Sequence, residues 1–415
     1  MKASIKTRIN PQLRLLQARR SMDAVLARVP SNAWFDRPVP QRHRLVFYAG
    51  HVEAFDWNLI KAHLNISGPY SEFDSLFAFG VDPKNGQLPD DQPSQWPSMQ
   101  QISEYRTAVR QRIDEVVTDI SPFVLHIALE HRLMHVETFA YLLHNLSTPI
   151  SARPHLSPPA PAPFTQDDAM IAIPSGMVTL GQSRGTSEDS ANAHGFGWDN
   201  EFDEHRVFVP SFGINRYKVT NRRYLPFVEA GAAPPHFWRR RGSAWYWRTF
   251  GGEVPLPLDW PVYVTHQEAT AYAAWRGQTL PTEPQFHRAA FGTPTNDERA
   301  YPWGNTPPTP SHGNFDGRCW DPIGVACTPL GESAFGVAQL VGNGWEWTST
   351  VFAPFPGFEP YACYPGYSAP FFDSDHFVLK GGSPLTAACF LRRSYRNWFR
   401  PDYRFVYASF RCVEN

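Results

Sequence analysis

Read for its apolar spacing, the chain changes character near residue 150. Before that point apolar residues recur at i, i+3 and i+4 in four stretches: Leu13–Arg28, the segment Leu45–Trp57, Met99–Thr118 and Pro122–Leu146. This spacing lays one apolar stripe along an α-helix, and four such helices predict an antiparallel bundle. Between the second and third runs a connection, Ser67–Pro97, in which Gly80-Val-Asp-Pro83 and Asp90-Asp-Gln-Pro93 break any helix. Connections of this length in a compact domain are often functional lids. From Ser151 to Asp168 the chain is proline-rich, tends to polyproline II and cannot continue a helix. The expected organisation is therefore a bundle over 1–150, a linker over 151–168 and a second domain over 169–415. That second domain shows short strand-like runs (Met170–Pro174, Met177–Gly181, His205–Pro210) and two helices, Asn221–Glu229 and His266–Trp275, the latter after the cap residue Thr265. The fold class is α+β, with aromatic packing and turns holding a second half poor in regular structure.

Composition narrows the function classes. A chain of 415 residues can bury two cores, and its formal net charge of −1 offers no field for nucleic acid or membrane. The densest basic run is Arg239–Arg241, and no segment approaches twenty apolar residues. The N-terminal residues carry charge with no apolar stretch behind them, so a cytoplasmic protein is expected. Five cysteines, Cys319, Cys327, Cys363, Cys389 and Cys412, form no Cys-x-x-Cys motif, which argues against a disulfide framework.

The chemistry concentrates in histidines. His131 and His135 lie four positions apart in the fourth helical stretch, about 40° apart around a helix, so both imidazoles leave one face and can hold one ion. His51, set in the apolar stretch Leu45–Trp57, is the best candidate for a third ligand from a neighbouring helix. Glu137 sits about 240° and 200° round the helix from the pair and points away from such an ion. Neither His126 nor His144 has a second histidine three or four positions away.

The second half resembles the formylglycine-generating enzyme (sulfatase-modifying factor) fold, a C-type-lectin-like architecture. The resemblance is carried in order by Ile173–Gly181, Tyr217–Asn221, Pro261–Thr265, Leu280–Phe286, Tyr301–Asn305, Val341–Thr348, Lys380–Ser383 and Ser409–Cys412. The first half, with its single His and His-x-x-x-His-x-Glu, resembles a DinB-like four-helix bundle. Together the halves resemble the non-heme iron sulfoxide synthases of ergothioneine and ovothiol biosynthesis, the ergothioneine type being the nearer.

That resemblance implies an oxidoreductase in which Fe(II), held by His51, His131 and His135, uses O2 to join a thiol, cysteine or γ-glutamylcysteine, to imidazole C2 of histidine betaine (hercynine) as a sulfoxide. Imidazole suits iron, and three protein nitrogens leave positions open for O2 and substrates. The partners are then small molecules: a histidine derivative, a thiol and O2. The resemblance also places Asn397, Trp398 and Phe399 at the imidazole substrate, with Trp398 and Phe399 as a cation–π wall for a quaternary ammonium. Arg106 and Arg110, one helical turn apart, are candidates for the thiol's carboxylate. Many relatives carry a catalytic tyrosine where this chain has Phe352, which cannot donate a proton. A subgroup draws on tyrosines of the bundle instead, making Tyr48, three residues before His51, and Tyr70 in the long connection the candidates here. A structural calcium is implied at Gln339, Gly342, Gly344 and Glu346, with Gln339 where asparagine is usual. Alternatives are carbon–selenium bond formation of the selenoneine type, an ovothiol-type reaction on histidine, a copper oxidase using two cysteines (Cys389 is present, but Ser394 stands at the second position), and a non-catalytic lectin-like binding protein.

Overall fold

The computed structural model describes residues 11–79, 88–147, 150, 170–184 and 196–414. The linker over 151–168 and the helix-breaking run Gly80-Val-Asp-Pro83 lie outside the described residues. The chain divides into two compact units, 1–150 with 185–196, and 151–184 with 197–415.

The first unit is helical, as the apolar spacing predicts: α1 (Pro11–Leu26), α2 (Leu45–Leu64), α3 (Ser71–Phe79), α4 (Met99–Val116) and α5 (Pro122–His144). Two of these start where the sequence supplies a cap. Ser98 and Gln101 form a capping box at α4, and Ser121 accepts from the Val124 amide at α5, with Pro122 in the first turn. Helix α2 packs against α3, α4 and α5, while α1 packs on α5. Because α2 has neighbours on several sides, 14 of its 20 residues are buried, His51, Glu53 and Asp56 among them. The expectation of an unbroken loop over Ser67–Pro97 is corrected by α3, which docks on α2. Its nine residues, Ser-Glu-Phe-Asp-Ser-Leu-Phe-Ala-Phe, are too few for periodicity to separate them from an apolar loop. Beyond it Asp91 is buried and accepts from Arg44 Nε at 2.8 Å and Trp96 Nε1 at 2.7 Å, so Asp90–Pro93 ends on an interior ion pair.

The second unit carries β1 (Met170–Ile173), β2 (Gly176–Leu180), β3 (His205–Val209), β4 (Phe212–Asn215), α6 (Asn221–Glu229), β5 (Trp238–Arg241), β6 (Ala244–Thr249) and β7 (Gly252–Pro255). It continues through α7 (His266–Trp275), α8 (Glu283–Phe291), β8 (Trp345–Val351), β9 (Phe377–Lys380), β10 (Asn397–Phe399), β11 (Ala408–Ser409) and β12 (Val413–Glu414). Four small sheets result, with strand orders β1-β4-β12, β10-β9-β8-β11, β2-β3 and β5-β6-β7. Helices α6 and α7 have the predicted bounds, and Thr265 and Glu268 form the expected capping box. Helix α8 adds to the two expected; Thr282 and Gln285 cap it and Pro284 sits in its first turn, where a missing N–H costs nothing. Its Phe286, Ala289, Ala290 and Phe291 pack with Ile173, Val178, Ile214 and Leu340 into one core. All five cysteines are free thiols.

Candidate metal centre

Helices α2 and α5 bring the three predicted histidines together: one nitrogen from each of His51, His131 and His135 lies within 4.8 Å of the other two. The Nε2 atoms of His131 and His135 stand 3.2 Å apart. Two nitrogens ~2.1 Å from one ion at 90° to 109° would be separated by about 3.0 to 3.4 Å. The ring orientation of His51 is set from outside its own helix, because Nδ1 donates to the Phe77 carbonyl of α3 at 2.7 Å and leaves Nε2 as the donor. Burial pushes the His51 imidazole down to about 4 and holds His131 and His135 well below their ordinary value. All three are therefore neutral at physiological pH, the state that ligates metal. Phe55 stacks on His131 with ring centres 3.4 Å apart, and Phe47 stacks on His51 at 4.6 Å, so apolar faces shield the donor set. These donors fit a borderline ion such as iron(II).

The register between α2 and α5 is locked by charge beside the histidines. Arg132, next to His131, is fully buried and donates to both carboxylate oxygens of Glu53, to Asp56 and, at 2.9 Å, to the Val52 carbonyl. Burial raises Asp56 to about 6, while Arg132 and Arg110 overcome burial and hold Glu53 far below the usual carboxylate range. Breaking such a buried pair costs about 3–5 kcal/mol. These residues lay outside the sequence reading, although Glu53 and Asp56 inside an apolar helix are a legible sign of buried pairing. The close fit of α3 was also readable only in part. A Cβ on Gly50 would lie 2.5 Å from the Phe77 ring, so glycine beside His51 is what lets α3 approach.

Other predicted residues divide. Tyr48 is buried, with its ring centre 5.7 Å from that of His135. Tyr70 instead packs edge-on against Tyr105 at 5.8 Å and lines a separate cavity with Trp57 and Arg112. Arg106 and Arg110 are taken up by acids of their own unit: Arg106 pairs with Asp23 at 2.5 Å, and Arg110 pairs with Asp23 at 2.7 Å and Glu53 at 2.6 Å. A thiol carboxylate at these arginines would have to compete with buried Glu53 for their donors.

In the second unit Phe352 is fully buried and stacks on Trp398, ring centres 4.3 Å apart and 7° from parallel, with Tyr367 edge-on to Trp398 at 5.3 Å. The expectation that Trp398 and Phe399 form one wall is corrected by β10: neighbouring residues of a strand face opposite sides, and Phe399 stacks on Tyr403 at 5.0 Å instead. Asn397 Oδ1 accepts from the Trp398 amide at 2.9 Å.

The calcium expectation is corrected as well. Lys218 Nζ donates to the Gly344 carbonyl at 3.0 Å and to Glu346 at 2.6 Å, and Arg411 grips Glu346 through Nε at 2.6 Å and Nη2 at 2.9 Å. Lys218, Glu346 and Arg411 are all fully buried. The side-chain oxygen of Gln339 accepts from Asn343 at 2.9 Å, and Gly342 takes a positive φ of 77° in the same turn. Two of the four expected donors, the Gly344 carbonyl and the Glu346 carboxylate, thus already hold fixed cations, which repel a third. Cys389 has no second thiol at residue 394, where Ser394 donates to Glu201 at 2.6 Å; a copper(I) dithiolate lacks its second ligand.

Comparison with known proteins agrees with this division. Residues 156–415 match the sulfatase-modifying factor enzyme 1-like domain and residues 14–144 the DinB superfamily. Hercynine oxygenase of Mycolicibacterium thermoresistibile is 35% identical over 74% of this chain and 72% of its own length. Hercynine oxygenase of Mycobacterium tuberculosis is 40% identical over 52% of this chain, a match spanning 55% of that relative. Ergothioneine biosynthesis protein 1 of Schizosaccharomyces pombe is 29% identical over 91% of this chain and 52% of its own length.

Proposed function

This chain belongs to the sulfatase-modifying factor enzyme 1-like family, with a DinB-superfamily bundle ahead of that domain, and from that premise we propose that it is an iron(II)- and O2-dependent oxidoreductase of ergothioneine-type biosynthesis. It joins a thiol to imidazole C2 of hercynine as a sulfoxide. The observation that carries the reading is the trio of neutral imidazoles within 4.8 Å of one another on α2 and α5, together with relatives named for hercynine oxygenation.

The overall reaction balances without an external reductant. The thiol S–H and the imidazole C–H are replaced by a C–S bond, a second two-electron oxidation places oxygen on sulfur, and O2 takes up the four electrons, leaving one molecule of water. Iron(II) held by His51, His131 and His135 would supply O2 activation and lower the pKa of a coordinated thiol.

The chain's own groups do the rest. The Phe77 carbonyl holds the His51 Nδ1 proton and so directs Nε2 inward. Phe47 and Phe55 lie flat on two of the imidazoles and keep water from them. Tyr48, beside His135, supplies the phenolic proton that Phe352 cannot. In the second unit Phe352 stiffens Trp398 from one side, and an indole face suits a quaternary ammonium group.

The test is anaerobic iron(II) titration of the purified protein, then O2 uptake with hercynine plus cysteine or γ-glutamylcysteine, with products read by mass spectrometry. One iron per chain and a coupled sulfoxide are expected. Absence of iron binding would sink the metal reading, and iron with no coupled product from either thiol would sink the reaction.

A further inference from the structure

Helix α3 reaches the histidine centre through its C-terminal end. The last four carbonyls of an α-helix have no amide of their own helix to bond, and Phe77, two residues before the end of α3, supplies one of them. That carbonyl accepts from His51 Nδ1 at 2.7 Å, and the partial negative charge of a helix C-terminus lies toward the same imidazole. A helix of nine residues cannot hold its own direction, so the aim of the carbonyl depends on what ties α3 down. Of the two acids of α3 only Asp74 is buried. Its carboxylate accepts from Lys61 Nζ of α2 and from the Tyr105 hydroxyl of α4, each at 2.8 Å, and its carbonyl accepts from Asn58 Nδ2 of α2 at 2.9 Å. Asn58 stands about two turns after His51 on the same face of α2. Helix α3 is thus pinned to that face at Asp74 and, about one turn on, at Phe77. Tyr105 contributes twice: the ring whose hydroxyl holds Asp74 also stacks on Phe77 with centres 5.9 Å apart, and Trp96 lies near-parallel to Phe77 at 6.1 Å.

We propose, resting on the iron reading above, that Asp74 is a positioning residue of the metal centre. Held by Lys61 and Tyr105, it sets α3 so that the Phe77 carbonyl takes the Nδ1 proton of His51 and leaves Nε2 for the ion. Asp74 gives its own oxygens to Lys61 and Tyr105 rather than to an imidazole, so it acts through the short stretch of backbone between residues 74 and 77. A loosened α3 would let the His51 ring carry its proton on either nitrogen, and a ring protonated at Nε2 cannot ligate through that atom.

Two readouts on the full chain test this, one without metal and one with it. In metal-free protein carrying 15N in its histidine rings, the His51 signals are assigned by their loss in His51→Ala, and their nitrogen shifts report the tautomer. The parent should hold the Nδ1–H form alone near neutral pH. Asp74→Asn keeps the shape but removes the charge that Lys61 and Tyr105 bind, and should give a mixture of both tautomers. Tyr105→Phe removes one hydroxyl, keeps the ring on Phe77, and should move the balance the same way by less. Anaerobic iron(II) titration should then show an affinity about tenfold weaker in Asp74→Asn. Ile113→Val, a buried change elsewhere on α4, costs stability of a similar order and should alter neither readout, which separates positioning from general loosening. Should Asp74→Asn fail to fold, Tyr105→Phe carries both measurements. A lone Nδ1–H tautomer in both variants overturns the proposal, and so does an equal loss of affinity in Ile113→Val. A parent that binds no iron(II) sinks the metal reading instead, while the tautomer in the metal-free variants still decides whether Asp74 sets His51.

Discussion

Around His51, His131 and His135 the fold collects neutral donors and leaves the positive charge to come from outside, whereas around Glu346 it supplies the positive charge itself, through Lys218 and Arg411. Both places read from sequence as ion sites. The difference lies in what packs beside the donors. Apolar rings, Phe47 and Phe55, lie on the imidazoles, and the guanidinium of Arg132, next to His131 in sequence, is committed to Glu53 and Asp56. At Glu346 two cations from remote segments reach the carboxylate directly. A motif displays the donors of an ion site; whether the counter-charge is free or covalently attached is settled by the neighbours.

The largest effect that tests this contrast is removal of an imidazole. His131→Ala or His135→Ala should abolish stoichiometric iron(II) binding while the circular dichroism spectrum stays unchanged; an affinity within tenfold of the parent would show that the ion is held elsewhere. Next is conversion of the closed site. Lys218→Ala should destabilise the second unit by about 3 kcal/mol, because Glu346 loses a buried partner. Millimolar calcium should recover part of that loss in the variant and none in the parent. Calcium that raises the melting temperature of the parent would reopen the cation site.

The pH dependence of the metal-free protein is next in size. An unfolded imidazole binds its proton near 6.5, but that of His51 does so only near 4 in the folded state. Between those values the unfolded state holds more protons, so stability is complete above pH 6.5 and declines as pH falls toward 4. His51 alone contributes about 3 kcal/mol to this decline, and His131 and His135 add in the same direction. Urea midpoints measured from pH 7.5 to 4.5 check it; a flat profile would mean that the imidazoles are not buried as neutral groups. The smallest effect is at Gly50. Gly50→Ala should push Phe77 off α2 and loosen its carbonyl from His51, weakening iron binding about tenfold and costing about 1–3 kcal/mol of stability through overpacking; an unchanged isotherm would remove Phe77 from the design of the centre.

Much of the fold was legible because its signals are local. Helical spacing disclosed the bundle, Thr265 announced a helix start, and four-residue spacing placed His131 and His135 on one face. Helix α3 stayed hidden because nine residues do not establish a period, and α8 because Pro284 reads as a breaker unless its place in the first turn is known. The aromatic wall was misjudged where residue type was read without strand geometry, since Trp398 and Phe399 are neighbours in sequence and face opposite sides of β10.

By itself the sequence determined the order of two unlike units, the helix faces within the first, and the identity of three imidazole donors. Only tertiary structure decided that Phe77 orients His51, that Arg110 pairs with Glu53, and that Lys218, 128 positions before Glu346, reaches into the expected calcium turn. The physical reason is range. Periodicity and capping act over a single turn of chain, whereas the partner of a buried charge or donor is whichever distant segment packing brings within about 3 Å.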